Sequence, residues 1–397
     1  MSESPAESAP SSVVWDIARY VIVAVVAGFL VWFYFLYTPV NYVSREHTGK
    51  TMGTDYKVQV ARFPENASWE TITEAIQHRL DTLEAMMSSH RHGSEVSRFN
   101  ASTNTKEWFP VSPETARVVQ AAQDVANMTE GAFDITIAPL VPHWGFGIAG
   151  GQRQNRSFED LRTSALQLKE QTGYEKLSVR LDPPALKKAI PELAIDLSGI
   201  AKGFAVDSIA ELLEEHQMND YLIEIGGEVR GKGKRGKDRD REWIVGVEKP
   251  TRDFTGFQQV FPLENQSLAT SGHYLQTIQI DGQRVSHLLD PRTGLPVPIR
   301  GEGAELASVA VLAPDCTQAD AFATAMFILG EQKGGELANR YGIAVLFLLD
   351  DGNAVMEVPS TQWEKTVDKY LYANNSSAVS LARLSGIYYT PAWTRIR

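Results

Sequence analysis

The sequence predicts an α+β fold. Strand-like and helix-like stretches are mixed along the chain without the steady β-α-β rhythm of a doubly wound sheet. Apolar runs that read as strands, such as Leu306–Leu312, sit beside runs with helical spacing, such as Gln318–Leu329, which ends before Gly330. With 397 residues the chain is long enough for one large core or two ordinary ones.

In chain order, residues 1–12 are rich in Ser, Pro and Ala and offer nothing to bury. Tyr20–Tyr37 then runs eighteen residues without a charge, close to the ~20 that cross a bilayer as a helix. Trp15, Tyr20, Trp32, Tyr34 and Tyr37 would suit the aromatic belts of a membrane. The run ends in bulky Trp32-Phe33-Tyr34-Phe35, not in the small residues of a cleavage site. A single transmembrane helix is therefore expected over residues 20–38, after a short tail, 1–19. Arg19 before it and Arg45 and Lys50 after it give no vote on orientation.

Beyond a linker, Tyr56–Val60 alternates as a strand. Ser68 can start a helix that lines up Trp69, Ile72, Ile76, Leu80, Leu83 and Met87. Ser112-Pro113 starts another, with Val118, Ala122 and Val125 on its apolar face. Leu193–Ile195 reads as a strand that enters a tight turn at Asp196, and Ala205, Ile209, Leu212 and Leu213 as the helix beyond Gly203. Asn219–Ile225 is a strand closed by Gly226-Gly227. Arg230–Arg241, with seven basic residues, two acids and three glycines, reads as a solvated hairpin tip. Glu336–Tyr341 is a short helix, and Ile343–Leu349 and Ala354–Val358 flank the hairpin signal Asp351-Gly352. The main domain is expected over 45–372, followed by a tail at 373–397.

Composition removes some functions. A net charge of −11 lacks the basic footprint of a nucleic-acid binder. Cys316, the one cysteine, excludes an intrachain disulfide and a multi-cysteine zinc site.

Four stretches carry possible chemistry. Asp196-Leu-Ser-Gly-Ile-Ala-Lys202-Gly203 places a lysine at a helix start, where unpaired N–H groups favour anionic oxygens. It fits equally a helix capped by Ser198 with Lys202 in solvent. Asp320 and Thr324, four apart on a helix, share a face and could offer oxygens to a hard cation, or be an ordinary first-turn Asp with a back-bonding Thr. His287 opens the turn His287–Gly294 as a possible general base, with Arg292 as an anion clamp or a surface ion pair. Gly131–Thr136 and Pro142–Gly147 set small residues beside aromatics, which suits a flat ring or plain core. His90 and His92 show no strong metal spacing.

Taken in order, Thr51–Thr54, Ser94–Asn100, Gly131–Asp134, Asp196–Gly203, Thr270–Gly272, His287–Gly294 and Asp320–Thr324 resemble the ApbE family of FAD:protein FMN transferases, over roughly residues 50–370. The resemblance implies an ApbE-like, T-fold-like mixed-sheet domain. It implies an exported Mg2+-dependent enzyme that splits FAD and transfers FMN to a Thr or Ser hydroxyl of a target protein, releasing AMP. By position it implies that Met52, His90, Ala132, Phe133, Asp134, Asp196, Lys202 and His287 contact the flavin nucleotide. It assigns magnesium to Gly199, Asp320, Ala323 and Thr324, and catalysis to His287, as base, and Asp320. His90 stands where the family usually has Tyr, and His273 where it has Asp or Asn. The expected setting is the cytoplasmic membrane, single-pass, with the domain on the periplasmic side. There an acceptor flavoprotein of a membrane electron-transfer system would be its partner. An FAD-storage protein and an FAD pyrophosphatase are the alternatives.

Overall fold

A computed structural model describes residues 19–29, 41–147, 157–236, 239, 241–250, 256–272, 277–299 and 304–374. Eight strands form its main sheet: β1 (Tyr42–Thr51), β2 (Thr54–Pro64), β3 (Tyr221–Ile225), β4 (Glu228–Lys232), β5 (Gln266–Gly272), β6 (Glu305–Ala313), β7 (Ala344–Asp350) and β8 (Val355–Pro359). They lie side by side in chain order, and each neighbouring pair is antiparallel. The fold is α+β as expected, but this sheet is antiparallel where a mixed one was expected. Each connection, however long, returns to the end of the sheet it left, so no parallel crossover arises. One consequence positions the site. The β1–β2 turn, the β3–β4 turn and the β5–β6 connection all emerge at the same end.

Period-two alternation in β6 shows how the layers form. Val309, Val311 and Ala313 join one core, and Ala310 and Leu312 the other. A strand buried on both faces needs a cover on each. The first cover consists of the helices α1 (Trp69–Met87), α2 (Glu95–Ala101), α3 (Pro113–Met128), α5 (Ala201–Glu215) and α6 (Cys316–Tyr341), with α4 (Phe158–Leu168) packing in a satellite cluster around Trp144. Ile72, Ile76, Leu80 and Leu83 of α1 are fully buried there, each contributing about 1.5–3 kcal/mol of transfer free energy. The second cover is the hairpin Ile244–Glu248/Phe257–Pro262 with helix α7 (Thr361–Asn374), through Trp243, Phe261 and Trp363.

The helix starts expected at Ser68 and Ser112 are present, these side chains accepting the N–H groups of Thr71 and Thr115; Ser94, not foreseen as a helix start, likewise accepts from Ser97 N–H. Helix α6 begins two residues before the expected Gln318, capped by Asp315, and its regular geometry breaks at Gly330 (φ 77°, ψ 172°).

Thr51 ends β1 and Thr54 begins β2, joined by a two-residue hairpin turn with Met52 and Gly53 both at positive φ, the geometry that matches strand twist. Two expectations need correction. Leu193–Ile195 is buried but joins no sheet; side chains satisfy its backbone instead. Arg230 is not a solvated tip residue, because it lies in β4 and pairs with buried Asp207 of α5.

Of the anchor expected at 20–38, residues 20–29 are helical, with Tyr20, Val21, Ile22, Val23, Val25, Val26 and Phe29 exposed. Residues 30–38 lie outside the described residues, as do His273 and 375–397. Among the described residues no helix is long and apolar enough to cross a membrane.

Candidate active site

Helices α5 and α6 meet at their starts, and there Lys202 and Asp320 come together. Gly203 makes this approach possible: a Cβ there would overlap the Cys316 carbonyl and press on Asp320. The glycine therefore serves close packing of two helices. The start of α5 has no side-chain cap of its own. Its N-cap is Ile200, not Ser198, whose N–H instead donates to Asp196 Oδ1 at 2.8 Å. The missing cap comes from the other helix, as Gly203 N–H donates to Asp320 Oδ2 at 3.0 Å. Asp207 of α5 returns the favour by accepting the N–H groups of Cys316 and Thr317 at 3.0 and 2.8 Å. Each helix start is thus capped by a carboxylate of its neighbour.

Lys202 lies among these groups with 22% of its side chain exposed. Its Nζ is 2.9 Å from Glu228 Oε1 and 3.5 Å from Asp320 Oδ1, two carboxylate side chains exposed by only 3% and 4%. Burial acts to lower the lysine pKa, but Asp320 and Glu228 outweigh it and hold the ammonium above its ordinary value. Burial raises the Glu228 carboxyl pKa, with the Lys202 charge opposing. Glu228 escaped the sequence reading; its only signal was its place directly after Gly226-Gly227. At that turn the side chains of Thr54 and Lys202 both lie against Gly226. This brings the β1–β2 turn, with Met52, to the same place. Met52 N–H donates to Glu84 Oε2 at 3.3 Å.

One helical turn along α6, Thr324 Oγ1 is 3.3 Å from Ser271 Oγ at the end of β5. A methyl at Gly199 would lie 3.5 Å from Thr324 Oγ1 and 3.1 Å from the Phe133 ring. Gly199, Phe133, Thr324 and Ser271 therefore adjoin, with Asp320 and Ala323 on the same helix. Among the described residues no group of three or more His, Cys, Asp and Glu side chains could hold a metal. A cation here would rest on one carboxylate, hydroxyls and backbone carbonyls.

Asp134 and Asp196 are joined through the backbone, because Asp196 N–H donates to Ile135 O at 2.7 Å. Asp134 Oδ1 accepts both the N–H and the hydroxyl of Thr136, whose Oγ1 in turn accepts from Gly173 N–H. Burial pushes the Asp134 carboxyl up to about 6, against the pull of the Thr136 bonds. Ala132 beside it is fully buried.

His287 belongs to a second group. It follows the short strand Gln283–Ser286, and its ring meets Phe146 edge-on at 6.4 Å. His90 lies against Gly147 of the same segment, which is tied to the turn after His287 by Trp144 Nε1–H donating to Gly294 O at 2.9 Å. Arg292 is committed to Asp290 by two bonds of 2.8 Å, which fits the ion pair and not the anion clamp.

The antiparallel sheet gathers an ammonium, buried carboxylates and hydroxyls at one end, the kind of polar cluster that marks a candidate active site. The ApbE family model matches residues 52–347. An FAD:protein FMN transferase of Vibrio cholerae serotype O1 is 36% identical over 323 residues, covering 81% of this chain and 92% of that protein. That of Escherichia coli K12 is 34% identical, with 80% and 87% covered. The solved structure of flavin transferase ApbE from Vibrio cholerae superposes with a TM-score of 0.71 at 34% identity, over 82% of this chain and 99% of that one. The apo flavinyl transferase ApbE of Pseudomonas stutzeri gives 0.71 at 31% identity, over 82% and 96%. The chain belongs to the ApbE family and is a transferase.

Proposed function

We propose that the protein transfers FMN from FAD to a Thr or Ser hydroxyl of a target protein, using Mg2+ and releasing AMP. The observation that supports this best is the meeting of Lys202, Asp320, Thr324 and Gly199 at one end of the sheet. Cleaving a pyrophosphate demands charge neutralisation and positioning more than covalent help from the protein. The donor set is all oxygen and suits a hard cation: Asp320 Oδ, Thr324 Oγ1 and the carbonyls of Gly199 and Ala323. Magnesium needs few protein ligands because phosphate and water complete its shell. Bound there, the ion would supply positive charge to the pyrophosphate oxygens.

In this reading Met52, His90, Ala132, Phe133, Asp134, Asp196 and Lys202 border the FAD, and Lys202 neutralises its phosphates. His287 takes the proton of the acceptor hydroxyl. That oxygen bonds the phosphorus of the FMN half as the phosphorus–oxygen bond to AMP breaks, and AMP leaves with the bridging oxygen. Exposed Tyr20–Phe29 supports a membrane anchor at 20–38. We place the domain on the periplasmic face of the cytoplasmic membrane, serving an acceptor flavoprotein of a membrane electron-transfer system.

The test is intact mass spectrometry of an acceptor flavoprotein after incubation with the protein, FAD and Mg2+. The expected result is an acceptor heavier by FMN less water, with one AMP per transfer. FMN and AMP formed as fast without acceptor would make the protein a pyrophosphatase, and FAD bound but unchanged would make it a store.

A further inference from the structure

We propose that Glu228 is a positioning residue: it draws the Lys202 ammonium closer to itself than to Asp320, so that the Asp320 carboxylate stays available to a divalent cation. This rests on the reading above, in which Asp320 is a ligand of Mg2+. The geometry carries it. One ammonium lies between two buried carboxylates and is closer to Glu228, at 2.9 Å, than to Asp320, at 3.5 Å. Asp320 Oδ2 accepts from Gly203 N–H at 3.0 Å, while Oδ1 has only the longer 3.5 Å bond from Lys202 Nζ, so Oδ1 is the oxygen that can more readily take another partner. A cation on that oxygen and an ammonium beside it repel, and more strongly in a site with little water. The lysine therefore needs a second carboxylate to stay on when the cation arrives.

Glu228 is built for that. It is the first residue of β4, directly after the β3–β4 turn, so its backbone is fixed by pairing with β3. Its Oε2 is buried with no hydrogen-bond partner, leaving Lys202 as the cation that compensates its burial. Without Glu228, the ammonium would move fully onto Asp320 and compete with the metal.

The experiment is a double-mutant cycle read by direct Mn2+ binding, with free Mn2+ followed by electron paramagnetic resonance on the full chain. Glu228→Gln should weaken Mn2+ binding about tenfold, within the range for groups in contact. In a Lys202→Met background the same change should be nearly silent, because the competing ammonium is gone and a buried, unpaired Glu228 takes up a proton. Equal weakening in both backgrounds, or none in either, overturns the proposal. Asp320→Ala separates the two failures: wild-type binding that survives it would put the cation elsewhere and overturn the reading of Asp320 together with this inference. If Glu228→Gln does not fold, Glu228→Asp in both backgrounds carries the test. It keeps the charge but shortens the reach, and should weaken binding in the same lysine-dependent way.

Discussion

Gly203 donates its backbone N–H to Asp320 Oδ2 at 3.0 Å, so the carboxylate that pairs with Lys202 also caps the helix that carries that lysine. The packing of α5 on α6 and the electrostatics of the site are therefore one feature. Gly203→Ala would drive a methyl into the Cys316 carbonyl, which is backbone and cannot swing away. We expect a loss of about 3 kcal/mol in urea unfolding, the upper range for overpacking, with transfer activity lost in parallel. Unchanged stability would mean that the helices separate at no cost.

Asp134 should make stability pH-dependent. Burial raises its carboxyl pKa to about 6, above the ordinary 3.8. The folded state then binds the proton more tightly than the unfolded one. The contribution is fully present below the unfolded value and is lost as pH rises through about 6. The difference is on the order of 3 kcal/mol. Asp134→Asn keeps an oxygen for Thr136 and carries no charge, so it should stabilise the protein at pH 8 and not at pH 4. Urea melts at both values check this; an equal effect at both would mean that Asp134 is not held protonated.

Much of the fold was legible because it rests on local signals. Ser68 and Ser112 announced their helices, and Asp351-Gly352 its hairpin, through chemistry confined to a few residues. What the sequence hid is non-local. Leu193–Ile195 has the composition of a strand, yet its backbone is satisfied by side chains from afar. Asn100 bonds both the N–H and the C=O of Ile195, at 2.8 and 2.9 Å, and Lys188 Nζ donates to Leu193 O at 2.7 Å. Glu228 and Asp207 were invisible for the same reason, since their roles exist only where α5, α6 and β4 converge.

Asn100 yields a prediction of its own. Its amide imitates a neighbouring strand and fixes the residue just before Asp196. Asn100→Ala leaves a backbone donor and an acceptor without these partners, at about 1–3 kcal/mol for each buried group. Stability should fall by that order. If Asp196 touches the nucleotide, FAD affinity should fall too, while the transfer rate at saturating FAD stays within a few-fold of wild type. Retained affinity in a folded variant would remove Asp196 from the binding surface.

His287 lies on a different element from Lys202 and Asp320. It sits after a short strand, edge-on to Phe146, while Lys202 and Asp320 belong to the helix junction. The two should fail differently. Asp320→Ala removes a carboxylate, the cap of Gly203 and a partner of Lys202, so stability and cation dependence should both change. His287→Ala touches none of these bonds, so folding, Mn2+ binding and FAD affinity should stay near wild type. Transfer should fall by about 10²–10⁴, the usual loss for a positioned base. Added imidazole should recover part of the rate, because a small base can enter the space the ring leaves. The measurements are FAD affinity by fluorescence quenching and transfer rate with and without imidazole. A wild-type rate in His287→Ala would assign the proton to another group, and a parallel loss of FAD affinity would make His287 a binding residue first.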